Sequence, residues 1–187
     1  MRSVTAVYVG FPLNDEAAHL LTWTTTPWTV VGNEFVAVDQ DAEYARVNLF
    51  DGTSVYLAAE RVTGVMDRLD VDEYDVVETV RGEALVGREY DHPLADELPN
   101  HPVTRGNVAH AEYVDTDKTG VVHSAPGFGH EDFERGWDLD LPVFSPVAND
   151  GAFSTDAGPY AGLHVREAVG DVLDDLDDAG ALFGTEE

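Results

Sequence analysis

The chain has 187 residues, no cysteine, and 37 acids against 10 bases, a formal charge of −27. That length favours one domain, residues 1–187, with a sizeable core, and the missing thiols exclude disulfides and a thiolate metal site. A 43% hydrophobic and 10% aromatic content argues against disorder despite the charge, and no apolar run is long enough for a secretion signal or a membrane span, so a cytoplasmic chain is expected.

In chain order, Ala6-Val7-Tyr8-Val9 reads as a first strand. Leu20 to Thr26 is β-branched and aromatic, hence strand-like, and Pro27 stops it. Phe35-Val36-Ala37-Val38 follows. Tyr44 to Phe50 alternates, Asp51-Gly52 turns, and Ser54 to Ala58 returns, which predicts a hairpin. Val76 to Val80, Gly120 to His123, and the pair Val143-Phe144 before the Asn149-Asp150-Gly151 turn extend the β content. Residues 91–102, rich in proline, histidine and acids, read as a surface loop. Acids at 131, 132 and 134 suit the start of a helix after Gly129. Arg166 to Ala179 is the clearest helix: Val169, Val172, Leu173 and Leu176 form one stripe, and Gly180 stands at the C-cap. Many short strands with few helices suggest a mostly β, α+β domain, a closed or nearly closed barrel with peripheral helices.

The acids are spread along the chain, and Lys118 is the only lysine. Most form a solvated face. Such a surface opposes RNA binding through phosphate neutralisation, yet in about 1 M salt the Debye length is only ~3 Å and short-range contacts decide. The composition resembles that of proteins from halophilic archaea.

Two segments carry a stronger resemblance. Trp23-Thr24-Thr25-Thr26-Pro27-Trp28-Thr29-Val30-Val31-Gly32-Asn33 resembles the threonine-rich motif of the editing domains of isoleucyl-, valyl- and leucyl-tRNA synthetases. The run from Gly120 to Phe133, with His123-Ser124-Ala125-Pro126, resembles their second motif, and His123 followed by Ala-Pro favours the isoleucyl branch. Val31 departs from the proline usual there. The resemblance implies hydrolysis of valine wrongly attached to isoleucine tRNA. Its partners would be the acceptor end of that tRNA and the remainder of the synthetase, with no membrane. No cofactor is implied for this domain, since ATP and magnesium serve the catalytic domain. With one lysine the chain has no Lys-Met-Ser-Lys-Ser loop, and it has no Gly-x-x-x-x-Gly-Lys phosphate loop, so it should not activate an amino acid alone. The alternatives are a valyl or leucyl sister domain and an idle module that binds a tRNA end.

Taken as bare residues, Thr24, Thr25 and Thr26 are ordinary β-formers, with Thr24 and Thr26 on one face and Thr25 on the other. Trp28 is as good a core residue as a base-stacking one, His123 a plain structural histidine, and Asp132 a helix-capping acid. The resemblance gives them roles. Thr24, Thr25 and Thr26 would contact the substrate, with Thr24 and Thr26 holding ester, ribose or water. Trp28 and Asn33 would shape the pocket, His123 would gauge the amino-acid side chain, and Asp132 would pair with its α-ammonium. A Ser124-His123-Asp132 triad is disfavoured because strand neighbours point to opposite faces and there is no Gly-x-Ser-x-Gly elbow. A metal site from His123, His130 and Asp132 lacks the His-Glu-x-x-His spacing. An aminoacyl ester is already activated, so positioning a water and stabilising the oxyanion suffice without a protein nucleophile.

Overall fold

The computed structural model describes residues 6–98, 101–102, 105–114, 117–128, 130–141 and 144–186, with the side chains of residues 130–133 outside that description. Among the described residues, ten strands form two mixed sheets. The larger has the order β10-β1-β2-β5-β4-β6 and the smaller β7-β8-β3-β9. β1 (Ala6–Pro12) runs antiparallel to β2 (His19–Thr24), which pairs in parallel with β5 (Ser54–Ala58). The predicted hairpin joins β4 (Glu43–Leu49) to β5: the Asp51 carboxylate accepts the Thr53 N–H at 3.0 Å, and Gly52 takes the left-handed conformation at φ +91°. In the smaller sheet β3 (Phe35–Val38) lies between β8 (Arg105–His110) and β9 (Val121–Ser124), and β7 (Glu89–Asp91) forms an edge.

The sheets do not close into a barrel, contrary to the sequence expectation. β6 (Tyr74–Arg81) and β10 (Leu182–Glu186) are the open edges of the large sheet, and the bridge Leu13↔Tyr90, with the Asn14 N–H donating to the Glu89 carbonyl at 3.1 Å, links its β1 end to β7. Asp75 and Glu78 on β6 put charge on an exposed edge, which discourages pairing with another chain. β1 and β10 are antiparallel neighbours that pair Ala6 with Glu186.

The main core lies between the sheets. Val7, Val9, Phe11 and Leu20 of the large sheet meet Val36, Val38, Val121 and Tyr90 of the small one. α3 (Val165–Asp178) seals this core with Val165, Ala168, Val172 and Leu176. His164 caps it through a reciprocal pair with Glu167, and Gly180 follows its end at φ +73°. On the outer face of the large sheet, α1 (Val62–Arg68) packs Val62, Val65 and Met66 against Tyr8, Leu21 and Leu57. α2 (His130–Asp138) begins within the second motif.

Other expectations also needed correction. The strand predicted to Thr26 ends at Thr24, because Pro27 has no N–H for a ladder and opens a 3-10 turn, Pro27–Gly32. Phe144 is irregular rather than strand, and Val143 lies outside the described residues. The 91–102 segment is no simple surface loop: His92, Leu94, Leu98 and His101 are all buried.

Candidate functional site

The site forms where β2 stops beside β9, two strands that pack together. Beyond Thr24 the chain turns sharply. The Thr26 N–H donates to Thr24 Oγ1 at 3.1 Å, leaving the two threonine hydroxyls 3.4 Å apart. They meet as predicted, but through a side-chain turn rather than strand alternation. Thr24 is nearly buried, whereas Thr25 and Thr26 are exposed at the lip.

The 3-10 turn then carries Thr29 back toward β9. Thr29 Oγ1 donates its only proton to the Thr26 carbonyl at 2.7 Å, so it must accept from His123 Nε2, 2.8 Å away. The other ring nitrogen, Nδ1, accepts from Asn33 Nδ2 at 3.2 Å. Asn33 is oriented by donation to the carbonyls of Phe35 at 3.0 Å and Ser124 at 3.4 Å, while its Oδ1 accepts from the Tyr90 hydroxyl. The bonds share one direction and define the imidazole as neutral with its proton on Nε2. Burial pushes the His123 pKa down to about 4. With its lone pair and its N–H both engaged, the ring is poorly placed to take a proton from water.

Aromatic packing flanks the turn. Trp28 stands edge-on to Phe128 at 5.3 Å, and a Cβ on Gly32 would collide with the Phe128 ring. Under the turn, His92 and His101 pack with ring centroids 4.7 Å apart, and His101 lies 4.5 Å from Phe144. Burial depresses both imidazoles, His101 to about 4. Glu34, next to Asn33, is fully buried, and neither carboxyl oxygen has a hydrogen-bond partner among the described residues. Desolvation lifts its pKa to about 7.

Of the predicted residues, Thr24, Thr26, Asn33 and His123 come together, and Trp28 stands at the same turn. Thr25 makes no hydrogen bond in this network. Asp132 lies in the first turn of α2, and its side chain is outside the described residues. Ser124 bonds Tyr113 at 2.9 Å on the other face of β9, away from His123, as alternation required. Among the described residues, no group of three histidines or acids could hold a metal, and no helix is long and apolar enough to cross a membrane. Sequence reasoning missed Thr29, Tyr90, Phe11 and Glu34. Thr29 lay inside the first motif and was visible there, whereas Tyr90 and Phe11 come from distant strands and carried no local signal.

The fold is that of aminoacyl-tRNA synthetase editing domains. The chain superposes on the CP1 editing domain of a leucyl-tRNA synthetase (GlLeuRS-CP1) with a TM-score of 0.76, 16% identity, and 97% and 99% of the two chains covered. The cytosolic leucyl-tRNA synthetase editing domain of P. knowlesi gives 0.67 at 10% identity, with 97% and 96% covered. By sequence the chain is 50% identical over 97% of its length to the isoleucine–tRNA ligase of Haloarcula marismortui and 43% identical over 97% to that of Halobacterium salinarum. That of Archaeoglobus fulgidus is 45% identical over 91%. No family model matches. The chain belongs to the isoleucine–tRNA ligases as their editing-domain segment, and it spans only 17–18% of the length of these relatives.

Proposed function

We propose that this domain hydrolyses valine esterified to isoleucine tRNA, as the editing site of a cytoplasmic isoleucyl-tRNA synthetase. The observation that carries the reading is the neutral His123 ring, held at both nitrogens beside the paired hydroxyls of Thr24 and Thr26. A fixed ring suits a gauge of side-chain length. Valine and isoleucine differ by one methylene, worth only about 1–3 kcal/mol in a single pocket, a general limit of which isoleucyl-tRNA synthetase is itself the standard example. A second site that excludes the larger residue adds what binding alone cannot.

In this reading Thr24 and Thr26 hold the ester, the ribose or the attacking water. Water adds to the ester carbonyl, the ribose oxygen leaves, and its proton comes from the water. Asp132 anchors the α-ammonium, Thr25 faces the tRNA side of the lip, and Trp28 with Asn33 shapes the pocket. The acceptor end of the tRNA and the rest of the synthetase are the partners, and the domain itself needs no cofactor.

Deacylation of Val-tRNA, with the full-length synthetase as control, tests the reading. Hydrolysis of valyl but not leucyl or correctly charged isoleucyl ester is expected, and binding without hydrolysis would make the domain an idle module instead. Asp132→Asn in the full enzyme should slow Val-tRNA hydrolysis about tenfold or more, the scale of one charge-assisted bond. An unchanged rate would remove Asp132 from the site.

A further inference from the structure

We propose that Tyr90 is a positioning residue for the editing site: through Asn33 it fixes the tautomer of His123, and through Phe11 it fixes the seat of that ring. The proposal rests on the reading of His123 as the gauge, but its structural half can be tested without any tRNA.

Tyr90 is wholly buried on β7, the short edge strand of the small sheet, far in sequence from both motifs. Two independent contacts lead from it to His123. Its hydroxyl donates to Asn33 Oδ1, and Asn33 Nδ2 donates to His123 Nδ1. Its ring meets Phe11 edge-on at 5.3 Å, and Phe11 in turn stacks on His123 at 6.0 Å. One residue thus touches two of the three groups that hold the imidazole, Thr29 being the third.

The neighbouring chain makes room for this side chain. Tyr90 pairs with Gly106 across the β7–β8 ladder, and a Cβ on Gly106 would collide with the Tyr90 ring and hydroxyl. Gly106 is not in a left-handed conformation, so the lack of a side chain there serves space rather than backbone freedom. Leu13 bridges to Tyr90 from the β1 side and ties its strand to the large sheet.

The hydroxyl matters because Asn33 Oδ1 is buried. Without Tyr90 as donor that oxygen is left unsatisfied, and the amide relaxes away from its present orientation. The Nδ2 bond to His123 is already long at 3.2 Å, and it is the one that weakens. His123 then samples the other tautomer and a wider range of ring positions. A gauge whose ring wanders admits isoleucine.

The experiment uses Tyr90→Phe, which removes one oxygen and keeps the ring. In the 187-residue chain, labelled with nitrogen-15 at histidine and checked for a cooperative melt, His123 should report a non-protonated, hydrogen-bonded Nδ1 and a protonated Nε2. In Tyr90→Phe the Nδ1 signal should move toward that of an unbonded imine nitrogen. In the full synthetase the same variant should raise Ile-tRNA deacylation relative to Val-tRNA about fivefold, the factor carried by one neutral hydrogen bond. Gly106→Ala is the second variant: it keeps the tyrosine intact but pushes its ring and hydroxyl off Asn33, and should give the same His123 signature. A folded Tyr90→Phe with unchanged His123 nitrogen signals overturns the proposal. So does a variant that only melts lower, with its Ile-to-Val ratio intact. Shifted nitrogen signals in a domain that hydrolyses no mischarged tRNA would instead overturn the editing reading and leave the positioning of His123 standing.

Discussion

The Phe11 ring lies 14° from parallel with the His123 imidazole, their centroids 6.0 Å apart. A flat neighbour on one face and hydrogen bonds at both nitrogens leave the histidine no low-energy rotation. Asn33 is the element of this arrangement with the sharpest chemical signature, because its amide donates to His123 Nδ1 from one atom and accepts from Tyr90 on another.

Asn33→Asp therefore should reverse the ring. A carboxylate has no proton to give, so His123 would place its own proton on Nδ1 to meet it. The Phe35 carbonyl would lose the Asn33 side-chain donor, while that of Ser124 keeps the Glu34 N–H at 3.0 Å. A loss of about 1–3 kcal/mol in stability is expected from the lost buried hydrogen bonds. The pKa of His123 should rise from about 4, because a neighbouring negative charge favours the imidazolium. Denaturation curves and a nitrogen-15 titration of His123 measure both effects. A histidine that titrates as low as before would show that Asn33 does not govern it.

Glu34 predicts an unusual pH profile. Its folded pKa is raised to about 7, so its contribution is fully present below the ordinary carboxylate range and is lost as pH rises to about 7. His101 and His123 act in the opposite sense: with folded values near 4, their contribution is intact above the ordinary histidine pKa of about 6.5 and is lost as pH falls toward 4. His92, depressed in the same sense, adds to them. Between the ordinary carboxylate and histidine values the three histidines outweigh the one carboxyl, so these groups together make stability rise with pH up to about the ordinary histidine value, roughly 6.5. Glu34→Gln keeps the shape of the neutral acid and cannot ionise. It should match wild type below about pH 4 and exceed it at about pH 8 by up to about 3 kcal/mol. Urea denaturation at the two pH values in molar salt measures this, and parallel curves for the two proteins would place the Glu34 carboxyl in water.

Local chemistry made much of the fold legible. The β-branched run before Pro27, the Asp51-Gly52 turn and the amphipathic stretch ending at Gly180 each encode their element within a few residues. β7, β8 and β10 were not read because acids or glycine interrupt them (Glu89 and Asp91, Gly106, Gly184) and they find their partners far away: Tyr90 opposes Gly106, and Val7 opposes Thr185. α1, with Gly64 inside, has too weak a helical pattern to declare itself. The same divide runs through the site. Thr24, Thr26, Asn33 and His123 sit in contiguous motifs, whereas Phe11, Glu34 and Tyr90 acquire their meaning only when β1, β3 and β7 meet. The barrel expectation failed because strand count alone does not determine closure, which depends on whether the edge strands β6 and β10 find partners.

The charge of −27 makes stability depend on salt. With 10 bases for 37 acids, ion pairing can neutralise only a minority of the carboxylates. The best-formed cluster, Glu16 with Arg46 at 2.8 Å and Arg88 at 2.6 Å, also accepts from Tyr56 at 2.9 Å and is partly sheltered from screening. Repulsion among the exposed acids therefore dominates in dilute buffer and is screened in molar salt. The melting temperature should rise between about 0.1 M and several molar potassium chloride, as the Debye length falls from ~10 Å to below ~3 Å. Equal or higher stability in dilute buffer would refute the salt-adapted reading.

His123→Ala distinguishes three roles by the direction of change on two substrates. A purely structural histidine, when truncated, would lower stability and slow hydrolysis of every ester alike. A general base would, when removed, abolish hydrolysis of Val-tRNA, but the Asn33 and Thr29 bonds occupy both ring nitrogens and argue against that role. A gauge predicts a gain. Deleting the imidazole opens space in front of Phe11 for the extra methylene of isoleucine, and discrimination of about 1–3 kcal/mol per methylene is small enough for that space to erase. The full synthetase carrying His123→Ala should begin to deacylate correctly charged Ile-tRNA, about ten-fold or more above wild type, while keeping much of its action on Val-tRNA. Decay of labelled Ile-tRNA and Val-tRNA, followed side by side for the two enzymes with folding checked by melting, gives the ratio directly. A folded variant that still spares Ile-tRNA would end the gauge assignment, and loss of Val-tRNA hydrolysis alone would return His123 to the chemistry of the step.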